Sequence, residues 1–405
     1  MIHFVRRKII HPLQSYIHDS RSVGITLLVC TAFSLLLANF GFWEEGYRNF
    51  WSSTFDGTAN HHLHAGILQV PNSILLIIND GLMAIFFFLV GMEIKRELQT
   101  GELSSIKKSA LPLFGAFGGI LVPAILYSLF NKGTEVMRGW AIPTATDIAF
   151  TLGIASLLGS RVPVGLKIFI TALAIIDDLG AIIVIAFFYG GQLHIFYFVG
   201  VVFIVGILWL LNQTQLKFGI IHWLLGFCLW YCMFNSGIHA TVAGVVFALM
   251  IPTKLLSTLE LRFHKPVNFI IMPAFALANT AIEFPENSMG ALNSTLSWGI
   301  IIGLCLGKPI GIVSACFFIV KKKIGDLPRG VNWHKMIGAA ILAGIGFTMS
   351  IFISTLAFEN ASQQDIAKIA VLIASFLAMI IGFIWIKLEK KSHPITQKEK
   401  AENVT

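Results

Sequence analysis

The sequence predicts an all-α membrane protein that crosses the bilayer many times. Apolar residues make up 56% of its 405 residues and charged residues only 12%, whereas soluble domains carry about 25% charged residues. Polar residues divide the chain into twelve apolar stretches, each near the roughly 20 residues that a helix needs to cross hydrocarbon. We expect twelve transmembrane helices near 23–41, 73–94, 110–130, 140–158, 165–188, 194–211, 219–234, 237–251, 268–282, 296–320, 336–358 and 366–386.

The basic residues predict on which side of the membrane each segment lies. If the N-terminus is cytoplasmic, nearly all Lys and Arg fall in cytoplasmic segments, the pattern that sets the orientation of membrane proteins. The outer side has only Arg48, Lys132, Arg138 and Lys368. We therefore expect cytoplasmic termini, and the net charge of +8 gives no reason to expect a nucleic-acid partner. Residues 1–22 are predicted as a cytoplasmic segment, 23–387 as one membrane domain with a retained first helix, and 388–405 as a disordered cytoplasmic tail.

Two of the predicted spans are interrupted. The fourth begins Ala-Ile-Pro-Thr-Ala-Thr-Asp at 141–147, and the eleventh contains Gly-Ile-Gly-Phe-Thr-Met-Ser at 344–350. Gly and Pro are common in membrane helices, so either interruption alone could be incidental. However, the fourth span is the middle of spans three to five, and the eleventh is the middle of spans ten to twelve. Interrupted helices at corresponding positions of two inverted repeats are typical of a transporter site.

Ionisable residues occur deep within these spans. Asp147, Asp177, Asp178 and Lys308 lie there, and an ionised Asp at a helix centre costs roughly 2.5–3.5 kcal/mol. Successive residues of a helix point about 100° apart, so one of Asp177 and Asp178 can face Asp147 while the other faces Lys308. A purely structural ion-pair network is the alternative interpretation. Three acids against one base leave a surplus of negative charge that structure does not require.

A surplus carboxylate in a wet cavity becomes neutral by taking up either a proton or a cation. Crowded like charges raise carboxylate pKa values and bring proton uptake toward neutral pH. Carboxylate, hydroxyl and carbonyl oxygens suit a hard cation, and Thr146 and the interrupted backbone near Pro143 supply such groups. One site that holds either species predicts cation/proton exchange without any cofactor.

These residues lie in strings that resemble the NhaA family of bacterial sodium/proton antiporters. The strings are Ile-Pro-Thr-Ala-Thr-Asp-Ile-Ala-Phe (142–150), Ala-Leu-Ala-Ile-Ile-Asp-Asp-Leu-Gly-Ala-Ile (172–182), Gly-Lys-Pro-Ile-Gly-Ile (307–312) and Gly-Ile-Gly-Phe-Thr-Met-Ser-Ile-Phe-Ile (344–353). The resemblance implies an electrogenic antiporter, not an enzyme, that extrudes sodium or lithium in exchange for protons by alternating access. It further implies a multi-pass protein of the bacterial inner membrane that contributes to pH and sodium homeostasis.

The resemblance also implies roles for individual residues. Asp178 would be the principal sodium and proton ligand, with Asp177 and Thr146 completing the sodium site and Asp177 pairing with Lys308. Asp147 and Thr146 would lie where the two broken helices cross, with Asp147 offsetting positive helix ends. The sequence leaves open which of Asp177, Asp178 and Lys308 carries the second proton.

A pH response is a further implication of the resemblance. The matching positions are Glu93, Arg96, Glu97, His239, Glu260 and His264. From spacing alone, Glu93–Glu97 is equally a solvated charge run and His239 a structural histidine. We predict Lys254–Pro266 as a loop that departs from the family pattern, so the pH set-point is not transferred. The first outside loop, Phe42–Asn72, also departs from the family pattern, and this divergence leaves a homodimer open. The loop contains His61, His62 and His64, which we predict to be hydrated rather than metal-binding.

Two other functions use similar residues. An intramembrane aspartyl protease also needs two carboxylates on different helices, but its Gly-x-Gly-Asp string is missing, because Ile175 and Ile176 precede Asp177. Such a protease would have no use for Lys308. An uncoupled cation channel is the second alternative, although interrupted spans in two repeats favour alternating access over a continuous pore.

Overall fold

Helices make up most of the protein. The structure, a computed structural model, describes residues 20–58, 62–65, 68–214, 217–284, 290 and 292–389. The helices are α1 (Ser20–Asn39), α2 (Glu44–Ser52), α3 (Ile74–Thr100), α4 (Ile106–Phe130), α5 (Ile148–Leu157), α6 (Val164–Phe188), α7 (Ile195–Gln213), α8 (Ile220–Ser236), α9 (Val242–Met250), α10 (Thr253–Pro266), α11 (Met272–Asn279), α12 (Thr295–Lys321), α13 (Trp333–Leu342), α14 (Phe347–Ala357) and α15 (Ala361–Lys387). A 3-10 segment, Glu135–Thr144, precedes α5.

The described residues contain seven continuous helices long and apolar enough to cross a membrane. Two bent pairs raise this number to nine if each pair forms one span: the 3-10 segment with α5, and α13 with α14. The predicted seventh and eighth spans correspond to α8 and α9, and the predicted ninth corresponds to α11 with the π-helical turn before it; all three are short. The structure is therefore that of a helical membrane protein, and the count of twelve spans stays a prediction.

The prediction of a loop at Lys254–Pro266 is wrong. Pro252 precedes α10, and Leu256 and Leu259 are buried three residues apart on one face of this helix. Such spacing forms an amphipathic helix. The helix also continues past Pro266, because a π-helical turn at Val267–Ile271 connects α10 directly to α11. The polar residues that suggested a loop are therefore the exposed face of a helix.

The segment predicted as the first outside loop, Phe42–Asn72, contains a short helix and two paired β-strands, so the all-α prediction misses two strands. Strand β1 (His62–Ala65) pairs antiparallel with β2 (Leu68–Pro71), and Leu63 lies opposite Val70. The backbone N–H of Gln69 donates to the Tyr231 hydroxyl (3.2 Å), which ties the strand pair to α8. His61 lies outside the described residues, and no metal-binding group of three His, Cys, Asp or Glu occurs within them.

Helices α4 and α12 cross closely. A Cβ atom added to Gly118 would lie 2.2 Å from the Gly311 carbonyl oxygen, and one added to Gly311 would lie 2.1 Å from that of Gly118. Only glycine allows this backbone contact. Lys308 lies about one helical turn before Gly311 and is fully buried. The glycine contact therefore fixes the depth and direction at which Lys308 enters the protein interior.

Candidate ion-binding site

Two interruptions in the helices form the centre of the site. The 3-10 segment and α5 are bent by 42°, and α13 and α14 by 45°. Pro143 has no backbone N–H and lies at the end of the first segment. At the second break, a Cβ on Gly344 would lie 2.5 Å from the Leu304 carbonyl oxygen. Local sequence thus produces a break at both places.

The two breaks are hydrogen-bonded to each other. The backbone N–H of Asp147 donates to the Ile345 carbonyl oxygen (2.7 Å). The Thr146 hydroxyl donates to the Ala343 carbonyl oxygen (2.9 Å). Buried backbone groups that a helix leaves unpaired need such partners. The interrupted backbone of each segment is therefore satisfied by the other, and the crossing lies inside protein.

Asp147 joins the N-termini of two helices. Its carboxylate caps α5 by accepting from the Phe150 N–H (3.0 Å). The same carboxylate accepts from the Thr348 N–H (3.1 Å) and from the Thr348 hydroxyl at the start of α14. Helix N-termini are partially positive, so one negative group lies between two positive ends. Sequence reasoning did not name Thr348, although a hydroxyl just after a predicted break is a recognisable capping signal.

Asp177 and Lys308 form a buried ion pair. Lys308 Nζ lies 2.8 Å from Asp177 Oδ2, and both side chains are fully buried. The Thr146 hydroxyl also lies 2.7 Å from the same carboxylate oxygen, so its single hydrogen is shared between Asp177 and the Ala343 carbonyl oxygen. Lys308 also donates to the Thr144 carbonyl oxygen. The structure thus brings Thr146, Asp177 and Lys308 into one cluster next to the crossing.

Asp178 faces a different space from its neighbour. It lies, 2% exposed, on a cavity of about 150 Å³. Asp178 Oδ1 receives no hydrogen bond from the described residues. The residues around this cavity that bear charge or a hydroxyl are Asp147, Glu93, His264 and Thr348. A buried carboxylate beside other acids is well suited to take up a proton or a hard cation.

Five of the six residues predicted for a pH response lie on two facing helices. Glu93 and His264 line the cavity. Arg96 lies 3.2 Å from both Glu97 and Glu260, which ties α3 to α10. Glu260 and His264 are on α10, outside the candidate spans. Burial raises the pKa of Glu260, against the influence of Arg96.

His264 lies on the same helix as Glu260, and its pKa shifts in the opposite direction. His264 is exposed overall, but partial removal from water lowers its pKa, because desolvation disfavours the charged form. Its ring nitrogens lie 3.2 Å from the Asn268 amide. Glu93 and His264 both line the cavity that contains Asp178, so these two members of the predicted set are directly connected to the candidate site.

The structure does not bring His239 to this group. His239 lies in the connection before α9, where its Nε2 is 2.5 Å from the Tyr189 carbonyl oxygen. Tyr189 in turn donates through its hydroxyl to the Arg138 carbonyl oxygen (2.7 Å). These contacts connect the segments that follow α6 and α8. The surroundings of His239 are therefore those of a residue that holds backbone segments together.

Comparison with known proteins identifies the family. A family model described as Na+/H+ antiporter 1 matches residues 14–386. The chain belongs to this family. A Flavobacterium johnsoniae protein named Na(+)/H(+) antiporter NhaA 2 is 47% identical over 386 residues, which cover 93% of this chain and 92% of that protein. The Na(+)/H(+) antiporter NhaA of Cytophaga hutchinsonii is 42% identical over 390 residues, 95% and 97% of the two chains. That of Salmonella paratyphi A is 43% identical over 384 residues, 93% and 97% of the two.

Membership of the Na+/H+ antiporter 1 family confirms the resemblance inferred from the sequence. It is a family of transporters and not of enzymes, which removes the aspartyl protease as a candidate. Together with the long apolar helices, it makes the chain a multi-pass protein of the inner membrane.

Proposed function

We propose that this antiporter exchanges sodium ions for protons by alternating access, with Asp178 as the group that binds either ion. One observation carries the proposal: the Asp178 carboxylate is buried on a small cavity that it shares with Asp147 and Glu93. Three acidic side chains on one cavity repel each other when all are ionised. Binding of a proton or of sodium relieves this repulsion, so the two ions compete for one place.

The exchange of sodium for protons involves a second step at Asp177, Thr146 and Lys308. In the structure, Asp177 and Thr146 are bound to each other, and Lys308 neutralises Asp177. For Asp177 and Thr146 to join Asp178 as sodium ligands, Lys308 must give up its ion pair. Loss of a proton from Lys308 or its movement away from Asp177 would achieve this. If Lys308 loses its proton at this step, that proton and the one released by Asp178 both leave for each sodium ion bound, and the exchange would be electrogenic.

The two bent pairs of helices support the proposed architecture. We infer that each pair is one broken span, the fourth and the eleventh, of a twelve-helix domain (23–387) built from inverted repeats. The N-terminal segment (1–22) and the tail (388–405) would both be cytoplasmic. Asp147 would compensate the positive helix ends at the crossing, because it accepts hydrogen bonds from both.

The remaining features of the proposal concern partners and control. Lithium is included, because the same oxygen ligands suit another small hard cation. The proposed pH-responsive group consists of Glu93, Arg96, Glu97, Glu260 and His264. The contacts of His239 instead favour a structural role for that residue. The lipid bilayer is the required environment, and the proposal leaves a homodimer open.

Proton flux in proteoliposomes tests the proposed function. Purified protein is reconstituted, and sodium, lithium or potassium gradients are applied between pH 6 and 9. We expect sodium and lithium to drive proton movement and Asp178→Asn to abolish it while the protein stays folded. Asp365→Asn, which changes an aspartate at the start of α15, is the matched control and should retain exchange. Exchange of wild-type size in Asp178→Asn contradicts the proposal, and sodium currents without proton movement favour a channel instead.

A further inference from the structure

Two hydroxyl side chains occupy equivalent positions on the two halves of the crossing. Thr151 is the fourth residue of α5, Ser350 is the fourth residue of α14, and both are fully buried. The Thr151 hydroxyl donates to the Leu342 carbonyl oxygen (3.1 Å), and the Ser350 hydroxyl donates to the Ile142 carbonyl oxygen (2.7 Å). Each helix therefore reaches the first half of the opposite pair, and the two bonds are reciprocal.

These bonds differ from what hydroxyl side chains usually do within helices. Ser and Thr commonly donate to the carbonyl four residues earlier in their own helix. Thr31, Thr171 and Thr280 do so in this protein, at 2.8, 3.0 and 2.7 Å. Thr151 and Ser350 instead direct their hydroxyls across the crossing. Their positions thus serve contact between segments rather than local helix geometry.

The two acceptors are backbone groups that the breaks affect. Leu342 is the last residue of α13, and the last carbonyls of a helix have no partner within it. The Leu342 carbonyl oxygen accepts from the Ile345 N–H (3.0 Å) at the break as well as from Thr151. Ile142 precedes Pro143 near the end of the 3-10 segment. The neighbourhood of Ser350 is also adapted to this bond, since a Cβ on Gly346 would lie 2.2 Å from the Ser350 hydroxyl oxygen. Glycine at 346 leaves the room that this hydroxyl occupies.

We propose that Thr151 and Ser350 are positioning residues that clamp the two interrupted segments together. The inference rests on the proposed function, in which the crossing presents Asp147 and Thr146 to the ion site. Neither Thr151 nor Ser350 is among the residues that line the cavity. They act through Asp147, whose backbone and side chain are bonded to the opposite segment. The clamp keeps these bonds intact while the site opens to one side and then the other.

Variants that remove only the hydroxyl group of Thr151 distinguish a positioning role from a general contribution to stability. Thr151→Val keeps the shape of the side chain and removes the donor, whereas Thr151→Ser keeps the donor. In proteoliposomes we expect Thr151→Val to raise the KM for sodium about five- to tenfold, with a much smaller change in the maximal rate, since the crossing loses one of its buried hydrogen bonds. Thr151→Ser should return the KM to within about twofold of wild type. Thr171→Val, which removes a hydroxyl bonded only within its own helix, should leave the KM unchanged.

The reciprocal bond provides a second, independent variant. Ser350→Ala removes one oxygen atom and should raise the sodium KM in the same direction; it decides the question if Thr151→Val does not fold. Because both bonds restrain one crossing, the double variant Thr151→Val/Ser350→Ala should raise the KM by less than the product of the two single effects.

Specific outcomes overturn the clamp. A wild-type KM in both Thr151→Val and Ser350→Ala does so, as does an equal KM shift in Thr171→Val or in Thr151→Ser. These outcomes leave the proposed function intact provided that Asp178→Asn still loses exchange. Exchange that persists in Asp178→Asn instead contradicts the proposed function, whatever the hydroxyl variants show.

Discussion

Lys308 and Asp177 lie 2.8 Å apart with both side chains fully buried, and no other cation of the described spans faces this carboxylate at ion-pair distance. The pair joins α12 to α6 next to the helix crossing. Two buried charges that neutralise each other are tolerated, but either one alone is costly. The stability of the site therefore depends on this contact, and in the proposed function the release of an ion depends on it too.

Lys308→Ala should destabilise the protein by about 3–5 kcal/mol, because it leaves a buried carboxylate without its partner. Thermal unfolding of the detergent-solubilised protein, followed by fluorescence at pH 8, measures the effect. The double variant Lys308→Ala/Asp177→Asn removes the charge as well and should recover part of the loss. An unchanged melting temperature in the single variant argues against a stabilising pair.

Gly311→Ala should separate α4 from α12. The added Cβ would lie 2.1 Å from the Gly118 carbonyl oxygen, and backbone cannot move aside as a flexible side chain can. We expect overpacking of roughly 1–3 kcal/mol or more and reduced sodium/proton exchange, since Lys308 follows the displaced helix. Gly206→Ala on α7 is the control, because its added Cβ meets nothing within 4 Å. Equal melting temperatures in the two variants contradict the prediction.

Much of the site follows from the sequence because intramembrane charges are rare. The energetic cost of burying charge is enough to single out Asp147, Asp177, Asp178 and Lys308. Composition singles out the breaks at Pro143 and at 344–350. Helix geometry predicts that the adjacent aspartates face different partners, and the family resemblance implies which: Asp177 contacts Lys308, and Asp178 faces the cavity with Asp147. These features depend on local sequence or on the identity of one residue.

Other features depend on contacts between distant segments, which spacing does not reveal. Thr348 becomes the partner of Asp147 only when the two breaks meet, 201 positions apart in sequence. The amphipathic helix α10 has few apolar residues in a row, so a search for spans reads it as a loop. The strand pair β1–β2 is too short to give a clear alternating pattern. Each of these is set by tertiary packing.

Asp147→Ala should weaken both half-helices at once. The variant removes the acceptor for the Phe150 and Thr348 N–H groups and exposes two positive helix ends to each other. A single lost cap costs about 1 kcal/mol, so we expect roughly 2 kcal/mol or more of lost stability. Asp147→Asn keeps an acceptor oxygen and should retain more of it. The melting temperatures of the two variants measure the lost stability. An equal loss in both would show that the negative charge, rather than the hydrogen-bond acceptor, stabilises the helix ends.

His264, whose side chain lines the cavity although it is largely exposed, should make the protein less stable in acid. Partial removal from water lowers the pKa of His264 below its usual value near 6.5. The unfolded chain therefore binds a proton more readily than the folded protein, and stability falls as the pH drops through and below about 6.5. His264→Gln, which cannot be protonated, should lose this part of the pH dependence and melt at a higher temperature than wild type at pH 5.5. At pH 8 this titration contributes nothing to the difference. Melting curves at both pH values measure the effect, and His194→Gln, at an exposed position outside the cavity, is the control. A difference between His264→Gln and wild type that is the same at both pH values would contradict the prediction.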